Sequence, residues 1–257
     1  MANQKILNKF KLDGNVAIVT GASRGLGKAM AIGLAEAGAN VCCVARSNMD
    51  RTVAEIERLG QTAIQVQADL ISTEPIDEII EETTQEFGRI DILINNAGII
   101  RRDPVTEFSE KDWDDVINVN LRTLFFLSQA VANFMIDQGE GGKIINIASM
   151  LSYEGGIKVP SYTAAKSGVM GLTREMANEL AAYDINVNGI APGYMATDNT
   201  VSFRNDPDRN KAIVERIPVG RWGEPEDLKG VAVFLASDAS NYMQGFTISV
   251  DGGWLAR

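Results

Sequence analysis

Residues 16–27 read VAIVTGASRGLG, a short apolar, β-branched run that passes without a break into a glycine-rich turn. VAIVT (residues 16–20) has no polar alternation, as expected of a strand buried on both faces of a parallel sheet. The stretch that follows, LGKAMAIGLAEAG (residues 26–38), has the apolar pattern of a helix closed by a glycine stop signal. Strand, glycine turn and helix in this order set free N–H groups and the positive end of a helix dipole beyond a strand's carboxyl end, where a diphosphate is held. Three residues separate the first two glycines, unlike the common G-x-G-x-x-G, and glycine turns also close ordinary strands. What raises this one to a dinucleotide-binding candidate is its place at the start of a regularly alternating chain.

That alternation runs to the end. VCCVA (41–45), AIQVQA (63–68), ILIN (92–95), KIINIA (143–148), INVNGI (185–190) and FTISV (246–250) read as further strands, seven in all with the first. Helical patterns lie between them, among them residues 76–88, the long stretch 109–138 and residues 162–182. Right-handed crossovers then predict an α/β fold, a Rossmann-type doubly wound seven-stranded parallel sheet with helices on both faces. No linker, repeat or low-complexity tract divides residues 1–257, so one domain is expected. Residues 197–216 (TDNTVSFRNDPDRNKAIVER) lack a clear apolar period and are expected to form an irregular substrate loop, or lid, beyond the sixth strand.

Composition excludes several chemistries. With 34 acidic and 24 basic residues the net charge is −10, which opposes binding to nucleic-acid phosphates but leaves room for an anionic small molecule beside local arginines. Histidine is absent, so no Ser-His-Asp triad, imidazole base or His-ligated zinc is possible, and no metal site is expected. Cys42 and Cys43 are adjacent and read as buried strand thiols of a reducing compartment. The first residues, MANQKILNKFKLDGN, lack the apolar core of a signal peptide, and no apolar run reaches ~18 residues. A cytoplasmic protein without membrane partners is the expectation.

Ser149, Tyr162 and Lys166 form a second constellation. Ser149 ends the fifth strand, while Tyr162 and Lys166 are four apart on one helical face. A free phenol titrates near pH ~10, so ionising it at neutral pH requires ~3 units, or roughly 4 kcal/mol. An ammonium ~4.5 Å away at an effective dielectric of ~20 supplies about that much. Such a pair can serve as general acid–base in a chain without histidine. On spacing alone a surface Tyr and Lys would be the simpler account, and the glycine loop is what argues against it.

With these residues in view, the sequence resembles the short-chain dehydrogenase/reductases over nearly its whole length. The motifs match in order: TGASRGLG (20–27), Asp69 after the third strand, NNAG (95–98), Asn120, Ser149, Y-x-x-x-K (162–166) and PGYMAT (192–197). The resemblance implies that Ser149 hydrogen-bonds the substrate oxygen and that Tyr162 exchanges a proton with it. It further implies that Lys166 lowers the phenol's pKa and holds the nicotinamide ribose, while Asn120 anchors a proton-relay water. By the same resemblance the cofactor would be bordered by Gly21, Ser23, Arg24, Gly25, Leu26 and Gly27, by Asp69 and Leu70 at the adenine, and by Asn96, Ala97 and Gly98. Pro192, Gly193, Met195 and Thr197 would border the nicotinamide, and a homotetramer built partly on the helices at 109–138 and 162–182 is implied.

Within the family, NNAGIIRR (95–102), FSEKDWDDV (108–116), VPSYTAAKSGVMG (159–171), APGYMATDNT (191–200) and VDGGWLAR (250–257) are similar to bacterial reductases of keto-deoxy sugar acids. These are the 2-deoxy-D-gluconate 3-dehydrogenase and 2-dehydro-3-deoxy-D-gluconate 5-dehydrogenase group. Gluconate 5-dehydrogenases and 3-oxoacyl-carrier-protein reductases stay as alternatives, with a non-catalytic dinucleotide sensor further off. Where an NAD site usually places an acid after the second strand, this chain has Ala45-Arg46-Ser47, and Arg24 sits within the glycine loop. Two guanidiniums suit a 2′-phosphate, so NADP(H) is favoured, with NAD(H) as the open alternative. Arg101 or Arg102, just beyond the fourth strand, is the candidate partner of a substrate carboxylate, with Tyr194, Lys158 and Arg216 as further pocket candidates.

Overall fold

The structure, a computed structural model, describes residues 5–257. Its strands are β1 (Val16–Thr20), β2 (Asn40–Ala45), β3 (Ala63–Gln67), β4 (Ile92–Asn95), β5 (Gly142–Ile147), β6 (Ile185–Pro192) and β7 (Thr247–Val250). They form one parallel sheet in the order β3-β2-β1-β4-β5-β6-β7. The expected doubly wound seven-stranded sheet is present, with boundaries shifted by one or two residues. Between β3 and β4 the chain crosses back past β1, so the winding reverses between β1 and β4. In open α/β sheets a crevice opens beyond the carboxyl ends at such a point.

Alternate residues of each strand supply two apolar layers. Ala17, Val19, Val41, Cys43, Ile92 and Ile145 face helices α1 (Gly25–Glu36) and α9 (Lys229–Ala236), represented by Met30, Leu34, Ala232 and Leu235. Ile18, Cys42, Val44, Leu93, Ile144 and Val187 face α3 (Ile76–Phe87), α5 (Thr123–Gln138) and α6 (Pro160–Leu180) through Ile79, Leu127, Val131 and Met176. The neighbouring cysteines therefore lie on opposite faces of β2, where burial pushes both thiols up to about 12. The remaining helices are α2 (Asp50–Arg58), α4 (Glu110–Ile117), α7 (Val201–Arg204) and α8 (Pro207–Arg216).

Two segments depart from their sequence expectations. Residues 109–138 are not one uniform helix: a π-helical turn, Asn118–Arg122, separates α4 from α5. One extra residue in that turn rotates the inward face so that Asn120 points into the fold, and such turns recur at functional sites. By length and composition Glu110–Gln138 would suffice to cross a membrane, but half of its apolar stretch is buried within the molecule. Residues 197–216 are not irregular either. A 3₁₀ turn (Asp198–Thr200) leads into α7 and α8. Pro207 occupies the first turn of α8, and the Asp206 carboxylate accepts the Arg209 backbone N–H at 3.1 Å. Ile213, Phe203 and Val214 then pack with Met150, Trp222 and Trp254, three aromatic or apolar side chains from distant parts of the chain.

Candidate active site

The carboxyl ends of the strands open into a cavity of about 1510 Å³ that runs across the sheet from the β2–β3 side to β6. Its dinucleotide side begins where Thr20 and Asn96 tie two loops together. The Thr20 hydroxyl accepts the N–H groups of Asn96 and Ala97 at 2.9 and 3.0 Å, and the Asn96 side chain donates to the Thr20 carbonyl at 2.9 Å. This binds the β1 turn to the β4 turn at the switch point. Gly27 sits so close beneath that a Cβ there would strike the Gly21 carbonyl and the Asn96 amide, and Gly21 itself adopts φ +68°. Helix α1 starts at Gly25 with no side-chain cap, which leaves its first N–H groups facing the cavity. A bare backbone cradle at an uncapped helix N-terminus fits a dinucleotide diphosphate.

Every sequence-predicted cofactor residue lies on this cavity: Gly21, Ser23, Arg24, Gly25, Leu26 and Gly27 from the first turn, Arg46, Asp69 and Leu70 from the next two, and Asn96, Ala97 and Gly98 from the fourth. Pro192, Gly193, Met195 and Thr197 line it beyond β6. The two arginines each already face a carboxylate. Arg24 Nε is 3.4 Å from Asp198, and Arg46 Nη1 is 3.8 Å from Asp69, all four side chains being substantially exposed.

Ser149, Tyr162 and Lys166 meet deeper in the cavity. Ser149 caps a 3₁₀ turn, its Oγ accepting the Leu151 N–H at 3.1 Å, and its hydroxyl is close enough to favour the ionised form of the Tyr162 phenol. Lys166 is buried on α6 one turn below, where its Nζ donates to the Ile147 carbonyl at 2.6 Å and lies 5.8 Å from the Tyr162 ring centre. Burial pulls the Lys166 amine down to about 8. The phenol is held above its ordinary range, because burial outweighs the nearby Ser149 hydroxyl and the charge of Arg102. The Lys166 ammonium makes its hydrogen bond to the backbone, and Arg102 is a further cation whose charge acts on the phenol.

Asn120 stands apart from the cavity wall. It is fully buried, with Oδ1 accepting the Ile99 N–H at 2.8 Å and Nδ2 donating to the Ile99 carbonyl at 2.9 Å. Its side chain thereby clamps the β4 turn rather than reaching into the cleft. A buried polar chain beneath it, Asn95 to Ser128 and Asn146, then Asn146 to Thr173, joins β4, α5, β5 and α6.

On the far side, the structure separates the paired candidates Arg101 and Arg102. Arg101 is 3.2 and 3.4 Å from Asp112 and Asp115 and is neutralised there. Among the described residues Arg102 donates only to the Asn199 carbonyl, at 3.5 Å, and it lies 5.0 Å from the centre of the Phe203 ring. Tyr194 also lines the cavity, edge-on to Trp222 and Trp254 at 5.4 and 4.7 Å. Arg216 stacks on Trp254 at 3.7 Å and pairs with Glu154 at 3.1 Å, so its charge is engaged. Lys158 lines the cavity in a left-handed conformation, φ 62°. Among the lining residues that sequence reasoning did not single out are Phe203, Arg209 and Trp254. Nothing marks them locally, since α7 and α8 are too short to show a period and Trp254 arrives from the last turn of the chain.

The whole chain can be placed among known proteins. The family profile described as enoyl-(acyl carrier protein) reductase matches residues 21–255. The 2-dehydro-3-deoxy-D-gluconate 5-dehydrogenases of Dickeya dadantii and Escherichia coli are each 57% identical over 252 residues, 98% of this chain and 100% of theirs. A structure from Agrobacterium tumefaciens described as a 2-deoxy-D-gluconate 3-dehydrogenase with bound NADP has a TM-score of 0.90 and 53% identity, covering 97% of this chain and 100% of that one. A gluconate 5-dehydrogenase from Burkholderia cenocepacia, in complex with NADP and tartrate, has a TM-score of 0.94 and 39% identity, covering 98% and 100%. With the glycine cradle, the Ser149–Tyr162–Lys166 cluster and full-length relatives of this kind, the chain belongs to the short-chain dehydrogenase/reductase family.

Proposed function

We propose that this chain is a 2-dehydro-3-deoxy-D-gluconate 5-dehydrogenase, an NAD(P)-dependent oxidoreductase that interconverts a keto group and a secondary alcohol on a (deoxy)gluconate-type acid. The observation that carries the reading is Arg102, a guanidinium that has no carboxylate partner among the described residues and whose charge acts on the Tyr162 phenol inside an acidic protein. The 57% identity to enzymes of that name supports the same substrate class. The family profile carries an acyl-carrier description, whereas full-length relatives at 48–57% identity bear sugar-acid names.

Gly21, Gly25 and Gly27 with the first N–H groups of α1 would hold the diphosphate, and Lys166 the nicotinamide ribose. Arg24 and Arg46 would receive a 2′-phosphate, which favours NADP(H), the dinucleotide named with three structural relatives. When bound, the nicotinamide supplies the hydride in reduction and takes it up in oxidation. Ser149 and Tyr162 converge on one point, where they hydrogen-bond the substrate oxygen. Tyr162, protonated at neutral pH, gives its proton to that oxygen in reduction and recovers it in oxidation. Asn120 keeps the Gly98–Ile100 backbone in place beneath them. Residues 197–216 act as the substrate lid of a single functional unit, which we place in the cytoplasm as a homotetramer.

Steady-state turnover of NADPH and NADH with 2,5-diketo-3-deoxygluconate, 5-ketogluconate and an acetoacetyl thioester tests the proposal. Highest kcat/KM with a keto acid of the sugar type and NADPH is expected; preference for the thioester would overturn it.

A further inference from the structure

Phe203 on α7 carries two guanidiniums over one ring. Arg102, from the turn after β4, lies 5.0 Å from its centre, and Arg209, from the first turn of α8, lies 4.0 Å from it. Four other cleft arginines are paired: Arg24 with Asp198, Arg46 with Asp69, Arg101 with Asp112 and Asp115, and Arg216 with Glu154. Among the described residues Arg102 and Arg209 have no ion-pair partner. In a chain of net charge −10, two unpaired cations against one aromatic ring are an arrangement that an anion would relieve. Their mutual field is already felt: after burial, the charge of Arg209 is the next cause that lowers the Arg102 guanidinium's pKa. Both side chains and Tyr162 line the same cavity.

We infer that Arg209, carried by the lid helix α8, is the second anchor of the substrate carboxylate, so that the acid group bridges Arg102 on the core to Arg209 on the lid. The inference rests on the sugar-acid reading above and extends it to a residue of the lid. A carboxylate offers two oxygens to two planar forks, which suits guanidiniums better than ammonium groups. Because one fork comes from the β4 turn and the other from α8, binding the acid holds the lid against the reacting centre. A neutral sugar would reach Ser149 and Tyr162 without drawing α8 onto it. Acid selectivity and lid closure then have one cause.

Arg209→Ala, Arg209→Lys, Arg102→Ala and the double Ala variant, assayed on 5-ketogluconate and on a neutral ketose, test this. Arg209→Ala should raise KM for the acid about tenfold or more, with kcat within about threefold and the neutral ketose unaffected. Arg209→Lys should recover part of the loss. The double variant should lose less than the product of the two single losses, since both forks share one ligand. Without turnover, gluconate should slow backbone hydrogen exchange over residues 201–216 in the wild type but not in Arg209→Ala. An unchanged acid KM together with unchanged protection in Arg209→Ala would overturn the inference while leaving the proposed function standing. Equal losses on acid and neutral substrates would also overturn it, by reducing Arg209 to a packing residue on Phe203. Failure of the wild type to turn over or bind any sugar acid would remove the reading beneath it as well.

Discussion

At Tyr162 two effects compete for one proton. Burial favours the neutral phenol, while the Ser149 hydroxyl and the Arg102 charge favour the phenolate, and burial wins. Ketone reduction needs the protonated phenol and is therefore expected to stay level from pH ~6 upwards, until Lys166 begins to lose its charge at about 8. Alcohol oxidation needs the phenolate, whose fraction rises about tenfold per pH unit below its pKa, so its kcat/KM should climb across the same range. Profiles of kcat/KM in both directions check this; parallel profiles would contradict the assignment. Tyr162→Phe should lower kcat by about 10²–10⁴-fold, with NADPH affinity, read by cofactor fluorescence, within a few-fold of wild type. Arg46→Asp, placing a second acid beside Asp69, should shift relative kcat/KM towards NADH by at least about tenfold, since charge-assisted bonds to a phosphate are lost. A wild type that already prefers NADH would refute the phosphate reading of Arg24 and Arg46. The types and spacings of these residues were legible in the sequence. Their electrostatics were not, because the hydrogen bond from Lys166 to the Ile147 carbonyl depends on how α6 lies against β5.

Gly27 tests the β1–α1 unit as an element. A methyl group there meets the Gly21 carbonyl, which is backbone and cannot rotate away, and the Asn96 amide that ties the two turns. Gly27→Ala should weaken NADPH binding by more than tenfold while far-ultraviolet circular dichroism keeps the wild-type helix content. An unchanged Kd would mean that the cradle tolerates the displacement. The same unit was readable in the chain because strand, turn and helix are contiguous and each carries its own signal. Two other elements were not. A π turn of five residues, Asn118–Arg122, scarcely alters the apolar period of a stretch that continues into α5, so the interruption that turns Asn120 inward leaves no trace in the pattern. Helices of four and ten residues, α7 and α8, are too short to display a period and draw their stability from Met150, Trp222 and Trp254.

Across the whole molecule, α4 and α5 expose Trp113 and Phe126, at 41% and 37%, with the Arg122 guanidinium 5.3 Å from the Phe126 ring. Large apolar groups left on the solvent-facing sides of these helices suit an interface with another copy, as the proposed tetramer requires. Phe126→Asp is expected to lower the mass measured by light scattering after size exclusion; an unchanged mass would move the interface elsewhere. At this scale the chain's own pattern set the sheet and its parallel sense, the glycine turn, and the spacing of the candidate trio Ser149, Tyr162 and Lys166. Those features follow from contiguous signals: apolar strands, glycine turns and a four-residue helical spacing. Only the tertiary structure decided that Arg101 is neutralised by Asp112 and Asp115 whereas Arg102 faces the phenol, and that Arg209 and Trp254 belong to the same cavity. The physical reason is that charge pairing and cavity lining depend on distances between residues far apart along the chain, and local pattern carries no information about those distances.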